Sequence, residues 1–194
     1  MLEPRLQRES IMRVEGAGIH ISAALQDLID KQALAELVLC YCRGIDRRDY
    51  ALVRSLYHDD AVDDHGHMFY GSADDYVAWL PSILNGFECT VHSLSNMLFR
   101  IDGDRAEGEL YATAYHRTPP SPSREIVVGG RYLDQYTRRD GVWKFQHRSL
   151  VLDWCRGSEA DLAAYQDLSV GVPTGSAGEA DPSYRLLKLF GRTN

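Results

Sequence analysis

His92 lies in TVHSLSN and Asp46 in CRGIDRRD, 46 positions apart. A neutral imidazole accepts a proton near pH 7, and a buried carboxylate on its other nitrogen fixes the tautomer and stabilises the imidazolium. Residue type alone does not join the two. Asp46 also reads as a helix-end acid solvated among Arg47, Arg48 and Asp49, and His92 as a hydrogen-bonded wall residue. Tyr41 precedes Asp46 by five residues, about 1.4 helical turns, so both can reach one cavity. Its phenol could bond a substrate oxygen, and it equally completes an apolar stripe. Arg148, in WKFQHRSLVLDW, shares a strand face with Gln146, Leu150, Leu152 and Trp154. Facing inward, it is a fixed positive charge for an oxyanion or leaving group; facing outward, it leaves the interior to His147. We take Arg148 as the inward residue.

Other chemistry-bearing groups are weaker. Asp63, Asp64, His65 and His67 have the composition of a metal site, but they lack a third anchor at helical spacing, so no metal is expected. Cys40 and Cys42 form no CxxC, and Ser93 and Ser95 lack the context of a nucleophile elbow. There is no Gly-rich phosphate loop, and Gly129-Gly130 reads as a bend or bulge in a strand.

The elements that must position these groups follow from periodicity. Leu34, Leu37, Val38, Tyr41 and Ile45 mark one buried helical face starting near Asp27, with Asp30 as its N-cap. Asp49 caps a short second helix, Tyr50–Tyr57. The stretch HDDAVDDHGH (58–67) reads as turns, and Ser72 with Asp75 opens a third helix that Pro81 and Gly86 break. Four strands follow: Val91–Ile101, Arg105–His116, Glu125–Arg138 and Val142–Trp154. Asp102-Gly103 and Asp140-Gly141 supply tight turns between them. Helices followed by a strand meander predict an α+β domain with the helices on one face of an antiparallel sheet.

Composition bounds the partners. The 194 residues are 44% hydrophobic and 25% charged, ordinary for a globular chain, and no apolar run reaches the ~20 residues of a membrane span. Twenty-one basic against 28 acidic residues give a net charge of −7, with the arginines dispersed among acids. Nucleic acid and anionic membrane are poor partners for such a surface, and a small molecule fits better. Four dispersed cysteines and a charged N-terminus without an apolar stretch make the cytoplasm the expected compartment. Residues 1–26 are expected to form an arm, 27–156 the domain and 157–194 a tail. The tail's apolar cluster (Tyr184, Leu186, Leu187, Leu189, Phe190) should dock on its own chain or on a neighbour.

Three stretches, KQALAELVLCYCRGIDRRDYALVRSLYHDDAVDDHG (31–66), TVHSLSNMLFRIDGDRAEGELYATAYH (90–116) and GGRYLDQYTRRDGVWKFQHRSLVLDW (129–154), together resemble the SnoaL-like branch of the nuclear-transport-factor-2-like superfamily. That branch includes scytalone dehydratase, bile-acid dehydratase, hexachlorocyclohexane dehydrochlorinase and the lignin-dimer formaldehyde lyases. The resemblance covers roughly residues 27–156. It implies a cone-shaped curved antiparallel sheet wrapped around N-terminal helices (a cystatin-like α+β barrel) enclosing one deep pocket. It implies that Asp46 orients His92 as the base, that Tyr41 and Arg148 handle the departing oxygen, and that neither cofactor nor metal is needed. It also places His65 in the pocket as a second polar group, with Tyr115 a similar candidate and Tyr57, Phe69 and Trp79 as wall. The expected activity is a lyase acting on a small aromatic or polycyclic substrate by dehydration or by formaldehyde-releasing cleavage of diaryl propanes. A ketosteroid-type isomerase, a polyketide cyclase or a non-catalytic dioxygenase small subunit are the alternatives on this fold. A homotrimer is the expected assembly, with a dimer second.

Overall fold

The computed structural model describes residues 22–187, 189 and 190; most of the expected N-terminal arm (residues 1–21) and residues 188 and 191–194 of the tail lie outside the described residues. The first helix, α1 (Ala23–Arg47), begins four residues earlier than its apolar stripe suggests, with Ser22 as the N-cap accepting from the Leu25 N–H. Asp30 is not a cap. It is buried about two turns inside α1, where it accepts from Trp143 Nε1 (3.0 Å) and Arg138 Nη1 (2.8 Å) and so ties the helix to the far end of the sheet. The stripe itself is as read: Leu34, Leu37, Val38, Tyr41 and Ile45 are all buried. A short α2 (Tyr50–Ser55), capped by Asp49, turns the chain back.

Where the sequence reads as turns, the chain forms a strand. β1 (Tyr57–Asp64) carries four aspartates, a residue type poorly suited to strands, yet each finds a use. Asp59 and Asp60 face outward to Arg54 and Arg139, and Asp63 is fully buried among polar partners. Contacts along the sheet therefore override local propensity. β2 (Tyr70–Ser72) pairs with β1, and Ser72 caps α3 (Ala73–Leu84) through the Asp75 N–H, as the capping pattern predicts. Pro81 does not end α3, which continues through it to Leu84.

Four long strands complete the sheet: β3 (Cys89–Asp102), β4 (Arg105–Arg117), β5 (Arg124–Arg139) and β6 (Val142–Glu159). The order is β2-β1-β6-β5-β4-β3, antiparallel except for the parallel β1–β6 pair. The sheet is curved and not closed, an α+β architecture with the helices lying in its concave face. At the β5–β6 turn Asp140 and Gly141 both have positive φ (52° and 80°), the backbone of a tight hairpin turn. The Gly129-Gly130 pair sits at a register shift. A Cβ on Gly129 would lie 2.0 Å from the Trp154 ring, and one on Gly130 2.3 Å from the Val151 carbonyl, so only glycine lets β6 bulge there. Past β6, α4 (Leu162–Ser169) and α5 (Pro182–Leu186) form the tail, which returns to α1. There Asp181 meets Arg47 (3.4 Å), and Arg43 lies over the rings of Tyr184 and Phe190. The tail thus touches its own chain through these contacts, but its apolar cluster is not buried by them: Leu186, Leu187, Leu189 and Phe190 stay exposed. No helix of the described residues is long and apolar enough to cross a membrane.

Candidate active site

Asp46 stands on the last turn of α1, and Arg48 decides where that turn goes. Arg48 adopts the left-handed conformation (φ 58°) that ends the helix. Its guanidinium donates to the carbonyls of Ile45 (2.9 Å) and Leu84 (3.1 Å) and to the Thr90 hydroxyl (2.7 Å). One side chain therefore holds together the ends of α1 and α3 and the start of β3. Two residues beyond Thr90, His92 meets Asp46 twice. The His92 backbone N–H donates to Oδ2 (2.9 Å), and Nδ1 bonds Oδ1 (2.7 Å). A carboxylate only accepts, so Nδ1 carries the hydrogen, and in the neutral ring Nε2 keeps its lone pair for the space beyond. Both side chains are nearly buried, which makes the pair stronger than the same contact in water.

That space is a cavity of about 250 Å³ between α1, α3 and the concave face of the sheet. Its walls are mostly apolar, from Ile45, Leu80, Ile83, Leu84, Ile126, Val128 and Leu150. Into it converge His92, His116, His65, Tyr41, Tyr76 and Tyr132. A greasy cleft with a few convergent polar groups is the usual form of a small-molecule site. Residues 26–149, from α1 into β6, match the family described as the SnoaL-like domain. The chain belongs to the SnoaL-like family. No curated protein matches the sequence. Among solved structures, this SnoaL-like chain is similar to a hexachlorocyclohexane dehydrochlorinase (LinA type 2; 20% identity, TM-score 0.65, covering 70% of this chain and 93% of that one). It is also similar to a protein from Novosphingobium aromaticivorans described as a candidate scytalone dehydratase (23% identity, TM-score 0.62, covering 67% and 88%). At such identities the likeness establishes the fold and leaves the reaction to the residues.

The structure sorts the expected site residues. His92 and Asp46 pair as the resemblance implies. Tyr41 lines the cavity, and its hydroxyl shares a 2.5 Å hydrogen bond with that of Tyr76. Burial, with Asp63 adding to it, pushes the Tyr41 phenol far up against a smaller opposing pull from Arg148. Tyr41 is accordingly a neutral phenol rather than a phenolate. Arg148 does face inward, and His147 lies on the outer face with Ser149, but Arg148 does not reach the cavity. Its Nε and Nη2 donate to the two oxygens of Asp134 (2.8 and 2.7 Å), and its guanidinium lies 4.1 Å from the ring centres of Tyr41, Tyr132 and Phe145. It is a fixed charge beneath the phenols. Gln146 does not share its face: the register shift opposite Gln135 and Tyr136 turns Gln146 outward to Arg139.

Three of the five residues expected to bind substrate, the wall residues Tyr57 and Phe69 and the polar candidate Tyr115, are displaced. Tyr57 is fully buried behind the cavity and donates to Asp63 (2.7 Å). Phe69 packs behind Tyr76 and Trp79, 5.3 Å from each ring centre, and only Trp79 and His65 of the expected set line the space. Tyr115 points away and donates to Glu125, because the small residues Ala112 and Ala114 occupy the inward face of β4. By the same alternation His116 faces in, a residue the sequence reading did not single out. The run from Asp63 to His67 also divides: Asp63 and His65 turn inward, while Asp64 accepts from the Gly66 N–H and His67 is exposed. Among the described residues no group of three or more His, Cys, Asp or Glu is placed to hold a metal ion. His116 lies edge-on to His92, ring centres 5.6 Å apart. Burial, reinforced by the neighbouring His92, pushes it down to about 4, so near neutrality it is an uncharged hydrogen-bonding group.

Proposed function

We propose that this SnoaL-like protein is a cofactor-independent lyase that removes water from a small, partly aromatic substrate by acid–base chemistry. The observation that carries the reading is the doubly held His92–Asp46 pair with Nε2 open to an apolar cavity. His92 Nε2 takes a proton from a carbon next to the one bearing the leaving oxygen. The C–H pair becomes the new double bond, the C–O pair leaves with the oxygen, and the proton on His92 passes to it as water. Asp46 stabilises the imidazolium formed on the way. The neutral Tyr41 phenol donates a hydrogen bond to the departing oxygen, and Arg148 beneath its ring favours that donation at a distance. The same base, taking an alcohol proton instead, would start retro-aldol cleavage of a diaryl propane with release of formaldehyde.

Turnover of hydroxylated bicyclic ketones and of diaryl propanediols, followed by the appearance of a naphthalene or stilbene chromophore, tests the reading. His92→Ala and Asp46→Asn should each lower kcat by about 10²-fold or more. Unchanged turnover in His92→Ala would overturn it.

A further inference from the structure

The cavity holds a second imidazole bound in the same manner as the first. Asp63, fully buried on β1, accepts from the Tyr57 hydroxyl with one oxygen (2.7 Å) and meets His65 Nδ1 with the other (2.5 Å). The pattern repeats that of Asp46, whose oxygens are divided between the His92 N–H and His92 Nδ1. In both pairs the carboxylate fixes the hydrogen on Nδ1 and leaves Nε2 as an acceptor on a residue that lines the cavity. The ring of His65 is also fixed. It stacks on Tyr76 (centres 5.3 Å apart, planes 19° apart), and its backbone N–H donates to the Phe69 carbonyl (2.8 Å).

The two imidazoles have different neighbours: His92 lies edge-on to His116, whereas His65 lies against Tyr76, Trp79 and Tyr132. His92 is paired across the sheet with Ala114 of β4, whereas His65 faces Tyr132, which is paired through β5 with Leu110. Four residues of strand separate these positions, about 13 Å. Tyr41 stands five residues back along α1 from Asp46, about 7.5 Å of rise, where it bonds Tyr76 and meets Tyr132 edge-on (5.9 Å). Trp79 and Tyr76 supply flat walls beside His65, suited to an aromatic ring.

We propose that His65, held by Asp63, is the second proton-transfer residue of the cavity, and that the substrate is a phenol whose hydroxyl meets His65 while the carbon chain on its ring meets His92. The proposal rests on the lyase reading above and names its substrate class. In the step it implies, the phenolic O–H bond breaks and the proton goes to His65 Nε2. The pair left on oxygen feeds through the ring and expels the hydroxyl on the attached carbon together with the C–O pair. His92 removes the proton from the next carbon, and that pair forms the double bond and restores the ring. The proton on His92 passes to the departed hydroxide as water, and His65 returns its proton to the phenolate.

Binding separates this proposal from the lyase reading. The full chain is titrated with 4-nitrophenol and with its methyl ether, 4-nitroanisole, while the phenolate absorbance band is followed. The unmodified protein should bind 4-nitrophenol with growth of the phenolate band, and His92→Ala should do the same. His65→Phe, which keeps a ring against Tyr76, should lose the band and bind the phenol about tenfold more weakly, with 4-nitroanisole unchanged. Asp63→Asn and His65→Gln should show the same loss, and far-UV circular dichroism identifies any variant that has not folded. A phenolate band that survives in the folded His65 variants, or that disappears in His92→Ala instead, overturns the role of His65 and leaves the His92 reading standing. Loss of turnover in His92→Ala with no effect of His65→Phe on phenol binding has the same meaning.

Discussion

Arg148 and Asp134 are both almost wholly buried, and their pairing sets up a stability experiment independent of any substrate. Two charge-assisted bonds of 2.8 and 2.7 Å join them, and the Tyr136 hydroxyl gives Asp134 a further donor (2.7 Å). Replacing Arg148 with Met keeps an unbranched side chain among Tyr41, Tyr132 and Phe145 but leaves the carboxylate with Tyr136 alone. Breaking a buried pair in this way typically costs about 3–5 kcal/mol, because the remaining charge has lost both its partner and its water. For a chain of this length that corresponds to a fall in Tm of roughly 6–20 °C. Removing both charges together, in Arg148→Met with Asp134→Leu, takes away the unpaired charge as well and should return most of the loss. Urea unfolding followed by circular dichroism gives all the terms of the cycle. A loss below about 1 kcal/mol in Arg148→Met, or a double variant no more stable than the single, would refute the view that this arginine is a desolvated partner of Asp134 beneath the site.

Two other expectations are accessible without a substrate. His116 is held down to about 4 in the folded chain against an ordinary value near 6.5, so between these pH values the unfolded chain takes up a proton that the folded chain refuses. Its contribution is intact above about pH 6.5 and lost as pH falls toward 4. The stability of the protein relative to His116→Gln should drop by roughly 2 kcal/mol from pH 7.5 to 4.5, discounted for the ring's partial exposure, and a constant difference would contradict the assignment. The outer face of the sheet exposes Leu98, Tyr111, Leu133 and Trp154, and we propose that self-association covers it. Sedimentation velocity should report a homo-oligomer, a trimer ahead of a dimer; a full chain that sediments as a monomer refutes this.

What the sequence made legible is what a short stretch of chain decides alone. The buried stripe of α1, the Ser72 cap, the Asp140-Gly141 turn and the bulge at Gly129-Gly130 each follow from a few neighbouring residues and hold in the structure. The errors arise where distant chain settles the outcome. Asp30 looks like a cap until Arg138 and Trp143, more than a hundred residues later, arrive to satisfy it inside the helix. β1 looks like turns until β6 pairs with it and Tyr57 and His65 satisfy its buried aspartate. Arg148 looks like a substrate contact because its parity is inward, but parity says nothing about Asp134, which the register across β5 and β6 sets directly opposite. The His116 signal was present. Ala106, Gly108, Leu110, Ala112 and Ala114 alternate into the interior, and extending that series by two reaches His116 rather than Tyr115. On a strand whose inward positions are small, the first large polar residue on the same parity is the one with room to enter a cavity. The bulky aromatics on the other parity, Tyr111 and Tyr115, have the solvent side to themselves.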